Sequence, residues 1–331
     1  MSLRTLPLKL CSGDSAVKIH CVAFFLGIDG GGSKTRCVLG DEHSTHGAGS
    51  AGACNVVRVG EGCARTSLEQ AVHEACTQAG ISPHDISGTC AGVAGALRPQ
   101  MATITRRLLS NIVSGKIEVV GDMEIAFEAA FGQGPGLIVI SGTGSIAYGR
   151  NAEGKSARAG GWGHAISDEG SGHWIAVAAI RAAMRARDRG ESSSLLKDMM
   201  DALGVSTVEE LTERVNASPA PDFASLFPVV LSAAMAPRLQ SAADAGDAIA
   251  NQVLEHAGRE LAKLAETVIH RLFPRVEKVR VATHGGVLTS SEQVRNSFSE
   301  HLRSLRPDVS YTAAALSPAL GALERARRLN F

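Results

Sequence analysis

No cysteine follows Cys90 in this 331-residue chain, and none of the seven up to and including it forms a C-x-x-C pair or a spacing suited to zinc. A structural zinc site is therefore not expected, and reduced, partly buried thiols are. Long apolar runs are also missing. The start, MSLRTLPLKLCSGDSAVKIH, is interrupted by Asp14, Lys18 and His20 before any apolar stretch forms, so neither a signal peptide nor a membrane span is expected. Residues 1–22 read as an N-terminal extension of a cytoplasmic protein. Charge of one sign is lacking too: 33 basic and 33 acidic residues give a formal net charge of +0, which argues against a nucleic-acid surface, and no membrane partner is expected either. With 44% hydrophobic residues the composition excludes a disordered chain.

What the chain has in quantity is glycine, 36 residues of it, a residue concentrated where φ is positive or where a ligand approaches the main chain. Short apolar runs end at these glycines. Residues 22–28 read as a buried strand entering the turn Asp29-Gly30-Gly31-Gly32, and a second strand follows at 34–39. A helical pattern spans 66–79, a strand and glycine turn 88–95, and another strand 117–120 before Asp122. The arrangement repeats at 136–140, with a turn at 141–145 and a returning strand at 146–148. Helical spacing then dominates 172–187 and 228–272, a strand at 279–282 meets Gly285-Gly286, and an amphipathic helix closes the chain at 318–329. Alternating strands and helices predict an α/β fold. The length and the internal echo predict two lobes flanking a cleft, 23–134 and 135–331, the second with helical additions and its last helix near the hinge.

The first turn nearly spells a Walker loop, but Ser33 stands where lysine would follow Gly32, and a strand rather than a helix comes next. A strand, glycine turn, strand unit instead offers converging backbone N–H groups to phosphate oxygens. Gly30, Gly31, Gly32, Ser33, Lys34 and Thr35 form one such turn. Gly142, Thr143, Gly144 and Ser145 form a second, with two hydroxyls as added donors, and a turn from each lobe would grip a triphosphate from both sides. Asp29, at the strand end, is placed to hold magnesium through water. Asp122 has two readings, a helix N-cap and a general base taking a proton from an attacking hydroxyl. The loop 160–172 has two as well: Trp162 against a sugar ring with Asp168 accepting hydrogen bonds from hydroxyls, or Trp162 in the core with Asp168 and Glu169 complementing a helix dipole. His164 and His173 lack partners at metal-ligand spacing.

Together, Asp29-Gly-Gly-Gly-Ser-Lys-Thr35, Gly142-Thr-Gly-Ser145, Gly161-Trp-Gly-His164 with Asp168-Glu-Gly-Ser171, and Gly285-Gly-Val287 resemble the N-acetylglucosamine kinase family, from about Phe24 to the end. That family belongs with the BadF/BadG/BcrA/BcrD-type ATPases of the actin, Hsp70 and sugar kinase superfamily. The resemblance implies two ribonuclease H-like (actin-like ATPase) domains around a central cleft, binding ATP and Mg2+. It assigns both glycine turns to phosphate, Gly285 and Gly286 to adenosine, and Asp122 to catalysis. Asn55 is similar to the family's sugar-binding asparagine, with Asp122, Trp162, Gly163 and Asp168 completing that pocket. Residues 317–322 resemble the closing P-x-x-G-A element, while Ser167 stands where relatives carry glycine. The implied activity is transfer of the γ-phosphate to the 6-hydroxyl of a small-molecule amino sugar, N-acetylglucosamine first and glucosamine as the alternative, in a homodimer. The rivals are an ATPase activator, whose cluster cysteines would lie further along than Cys90, and a nucleotide-gated sensor without turnover.

Overall fold

The computed structural model describes residues 22–191, 193–235, 246–274, 278–312 and 316–329. Nearly all of the expected N-terminal extension, and residues 236–245 within the expected helical stretch, lie outside them.

Two five-stranded sheets carry the fold. The first contains β1 (Phe24–Gly30), β2 (Thr35–Gly40), β3 (Thr45–Ala51), β4 (Ile86–Val93) and β5 (Lys116–Gly121), in the order β3-β2-β1-β4-β5. The second contains β6 (Gly136–Ser141), β7 (Ser145–Arg150), β8 (Ser156–Gly160), β9 (Val279–His284) and β10 (Val309–Tyr311), in the order β10-β9-β6-β7-β8. Each begins as an antiparallel meander of three strands and continues with two parallel strands. The echo between the two glycine turns is therefore a repeat of topology.

Helices α1 (Val56–Ala79) and α2 (Pro99–Ser110) cover one face of the first sheet. The central strand β1 is buried over most of its length, which is why it reads as a continuous apolar run. The edge strand β3 has the sequence THGAGSA and gives no such signal. Its Gly47 and Gly49 face α1 so closely that a Cβ there would stand 2.1 Å from the Ala75 carbonyl and 2.0 Å from that of Ala71. Bare backbone is what lets the helix settle on the strand. In α1 the apolar periodicity emerges only late because Gly60, at φ 77°, kinks its beginning.

α3 (Asp122–Phe131) is buried on nearly all sides and joins the lobes. Ile125 packs with α11 (Pro318–Arg327) against β1 and β4, while Phe127 and Phe131 pack against Ile138 of β6 and Ala282 of β9. The closing helix α11 lies on the first sheet, where Arg325 makes a bidentate pair with Glu118 at 2.8 Å and also reaches Glu124. The 25-residue α8 (Ala248–Leu272) lies along the second sheet, and α4 (Gly172–Asp188) and α7 (Phe227–Met235) pack on it. The short α9 (Gly286–Ser290) touches β6 and β9, α10 (Glu292–Leu305) packs on α8, and α5 (Ser194–Leu203) and α6 (Val208–Val215) lie further out. No described helix is long and apolar enough to cross a membrane.

Candidate active site

The parallel register of the first sheet lines up Gly30, Val93 and Gly121 at one edge. Asp29 and Asp122 consequently stand at the same end of the sheet. Burial, joined by the negative charge of Asp122, pushes the Asp29 carboxyl up to about 6, with Arg36 opposing the shift. Burial likewise raises Asp122, against the Met123 N–H that its Oδ1 accepts at 3.0 Å. Both residues keep partial solvent access, as groups on the floor of an open cleft do. Asp122 is the first helical residue of α3 rather than its cap. The cap is Gly121, whose N–H donates to Glu124 at 3.2 Å, so the N-cap reading of Asp122 is set aside.

Between β1 and β2 the first glycine turn closes by a Gly31 N–H to Lys34 carbonyl bond of 2.8 Å, leaving Ser33 and Lys34 exposed at its tip. The buried Thr35 hydroxyl donates to the Gly52 carbonyl at 2.7 Å and ties the turn to the end of β3. The second turn occupies the equivalent place between β6 and β7, where Gly142 N–H meets the Gly144 carbonyl at 2.9 Å. Beside it, Gly285 at φ 98° approaches β6 so closely that a Cβ would stand 2.3 Å from the Ser141 carbonyl. Only glycine suits that conformation and that distance.

The loop from Gly161 to Ser171 is stitched onto the second turn. Gly161 N–H donates to the Ser145 carbonyl at 2.9 Å, Ser145 Oγ to the Glu169 carbonyl at 2.7 Å, and Ser141 Oγ to the Gly170 carbonyl at 2.8 Å. Asp168, buried and at φ 71°, accepts the Ser145 N–H at 3.3 Å while its carboxyl rests against Gly144. Burial raises this carboxyl and the backbone donors oppose it. Because Ser145 spends its hydroxyl and its N–H on this loop, the turn offers outward chiefly its backbone and the exposed Thr143 hydroxyl. Trp162 is not core: it is 58% exposed, with the Arg158 guanidinium 4.0 Å from its ring centre. The N-cap of α4 is Ser171, not Asp168 or Glu169.

Asn55 caps α1, its Oδ1 accepting the Val57 N–H at 3.1 Å, and its amide lies against Gly95 in the turn that follows β4. Three cleft features escaped the sequence reading. Arg36 is the cross-strand neighbour of Asp29, and its charge, second to burial, holds the half-buried His284 of the other lobe below the usual imidazole range. Arg58 lies against Gly32 and pairs across the cleft with Asp222 at 2.8 Å. Val57 and Leu97 expose apolar surface beside Asn55 and Asp122. For Arg36 the signal was available, as a cation two residues beyond a glycine turn; the Arg58 contact joins residues 164 positions apart and has none.

The model of the BadF/BadG/BcrA/BcrD ATPase family matches residues 26–326. The chain belongs to that family. The BadF/BadG/BcrA/BcrD match covers both sheets and α11 except for the first two residues of β1 and the last residue of α11. Relatives include an N-acetylmuramic acid/N-acetylglucosamine kinase of Clostridium acetobutylicum, 35% identical over 92% of this chain and 98% of its own length. An N-acetyl-D-glucosamine kinase of Dictyostelium discoideum is 27% identical over 90% of this chain and 96% of its own. Among solved structures, a candidate N-acetylglucosamine kinase from Chromobacterium violaceum superposes with a TM-score of 0.72 at 26% identity, covering 91% of this chain and 98% of that one. The architecture is accordingly the paired ribonuclease H-like, actin-like ATPase fold that the family resemblance implies.

Proposed function

We propose that this BadF/BadG/BcrA/BcrD family member is an ATP-dependent amino-sugar kinase that transfers the γ-phosphate of ATP to the 6-hydroxyl of N-acetylglucosamine. The observation that carries the reading is the pair Asp29 and Asp122, two carboxyls raised in one cleft between two glycine turns. The relatives named as amino-sugar kinases support it over nearly their whole length.

In this reading Gly30, Gly31, Gly32, Ser33 and Lys34 from one side and Gly142, Thr143 and Gly144 from the other bind phosphate, with Thr35 and Ser145 holding the turns in shape. Gly285 and Gly286 contact adenosine. Asn55, Trp162, Gly163 and Asp168 hold the sugar, and Asp122 both touches it and catalyses. Asp122 takes the proton of the 6-hydroxyl as that oxygen bonds to the γ-phosphorus and the bond to the bridging β-oxygen breaks, releasing ADP. Its raised affinity for a proton makes it a stronger base than an ordinary carboxylate. Asp29 fits Mg2+: it is a hard oxygen donor whose proximity to Asp122 creates negative charge that a divalent cation relieves. When bound, the ion would neutralise charge on the phosphates. The domain division is proposed at 134/135, between α3 and β6, and the oligomer as a homodimer.

A second acceptor, N-acetylmuramic acid, follows from the name of the 35% identical relative. A coupled ADP-release assay with ATP, Mg2+ and N-acetylglucosamine, N-acetylmuramic acid, glucosamine, N-acetylmannosamine, glucose or no sugar tests both readings. Stimulation by an N-acetylated sugar is expected, with the product carrying phosphate on carbon 6. ADP release indifferent to every sugar would overturn the kinase reading in favour of an ATPase.

A further inference from the structure

Away from the glycine turns, the two lobes enclose a second recess. β7 runs from the second turn at Ser145 to Arg150, and α3 runs from Asp122 at the cleft floor to Phe131. Arg150 and the last turns of α3 therefore stand at the other ends of these elements from the cleft. Between them opens a cavity of about 520 Å3, within the range of small-molecule sites. One wall is built by β5, α3 and α11, the other by the end of β7 and the turn after it.

The first wall is charged but matched within itself. Arg325 holds Glu118 through two bonds of 2.8 Å, and Arg328 meets the buried Glu128 at 2.7 Å. The second wall is unmatched. Arg150 makes no ion pair among the described residues; its Nη2 donates to the Gly132 carbonyl at 2.5 Å, and its Nε is buried without a hydrogen bond. Beside it, Asn151 spends its Oδ1 on the Lys155 N–H at 2.9 Å and keeps its Nδ2 group for donation, while Gln133 adds an exposed amide. Three arginines against two carboxylates, with the spare donors on one wall, match an anion. The volume exceeds what a bare phosphate fills, and the carboxylates opposite retain lone pairs for hydroxyls.

We propose that this recess binds a small phosphorylated polyol, with its phosphate toward Arg150, Asn151 and Gln133 and its hydroxyls toward Glu118 and Glu128, and that binding there restrains turnover in the cleft. Two features couple the sites. Arg325 donates to Glu124 at 3.3 Å, and Glu124 accepts at 3.2 Å the N–H of Gly121, the residue before Asp122. The walls also belong to different lobes, so a ligand that bridges them opposes the turning of the lobes that cleft closure requires. The effect on turnover rests on the kinase reading above; the binding does not.

The test is calorimetric titration of the full chain with glucose 6-phosphate, the cleft being filled with AMPPNP, Mg2+ and N-acetylglucosamine. Glucose 6-phosphate should bind once per chain, and glucose, which lacks the charge, should not. Asn151→Asp keeps the oxygen that accepts the Lys155 N–H but places a negative charge in the recess, and Gln133→Glu does the same from an exposed position. Each should weaken binding roughly tenfold or more with thermal melting unchanged. No binding, or equal affinity in wild type and both variants, would overturn the site; inorganic phosphate binding as tightly would overturn its assignment to a polyol. In the ADP-release assay, glucose 6-phosphate should lower kcat roughly fivefold or more without raising KM for either substrate, and Asn151→Asp should turn over normally and resist it. Binding with undiminished kcat would overturn the coupling. Binding that follows the variants in a chain that phosphorylates no sugar would uphold the site while the kinase reading failed.

Discussion

Two carboxyls in one cleft make this site pH-sensitive in opposite senses for folding and for chemistry. Asp29 is raised from its ordinary 3.8 to about 6, so its protonated form favours the fold. The stability it contributes is fully present below about pH 4 and is lost as pH rises through about 6. Activity, which needs the ionised groups, runs the other way: kcat/KM should show an acid limb near pH 6 in the free enzyme. Asp122→Asn should leave sugar binding by calorimetry nearly intact while lowering kcat by roughly two orders of magnitude or more, as loss of a general base does. The same variant removes the like charge from Asp29, whose carboxyl titration, followed by 13C NMR, should move below about 6. Turnover barely altered in Asp122→Asn would reduce Asp122 to the start of a helix.

At the scale of elements, the strands that carry the site were legible and those that support it were not. β1 and β6 are buried on both faces, and β9 at Val279, Val281 and Ala282, and these announce themselves as apolar runs. β3 and β8, THGAGSA and SARAG, have no such pattern because closeness to a helix or to another strand, not side-chain burial, defines them. Gly49→Ala should accordingly cost about 1–3 kcal/mol, since the new methyl meets the backbone of α1 rather than a movable side chain. Gly62→Ala, in the same helix with nothing near its Cβ, should stabilise by up to about 1 kcal/mol. Chemical denaturation of the two variants measures the contrast, and equal effects would deny the close approach of α1 to β3. α3 earns its place differently: buried on nearly all sides between both sheets, it sets Asp122 at the floor of the cleft. Glu124 binds its N-cap and Arg325 reaches Glu124 from the closing helix.

For the whole molecule, the Arg58–Asp222 pair is a contact that spans the two lobes in addition to α3, which packs against both sheets. Its side chains are 37% and 50% exposed, so it is worth at most about 1 kcal/mol and is weakened by salt. Removing it with Asp222→Ala should shift the unliganded protein toward a more open form by no more than about fivefold in population. Small-angle scattering at low and high salt reads the change; a radius of gyration identical in wild type and variant at low salt would mean that the pair does not hold the lobes. If nucleotide is gripped by the two glycine turns as proposed, it should close the variant as fully as the wild type.

The sequence by itself determined the α/β class, the two repeated strand, turn, strand units and the place of Asp29 and Asp122 at the ends of strands, because each depends on neighbours within a few positions: an apolar run, a glycine turn, an acidic residue at the strand's end. Only the tertiary structure decided what those residues share. That burial and the charge of Asp122 raise Asp29, that Asp168 props Gly144 and that Arg58 reaches Asp222 all require elements far apart in the chain to meet. Charge, burial and contact between such elements arise from packing, and no local spacing encodes them.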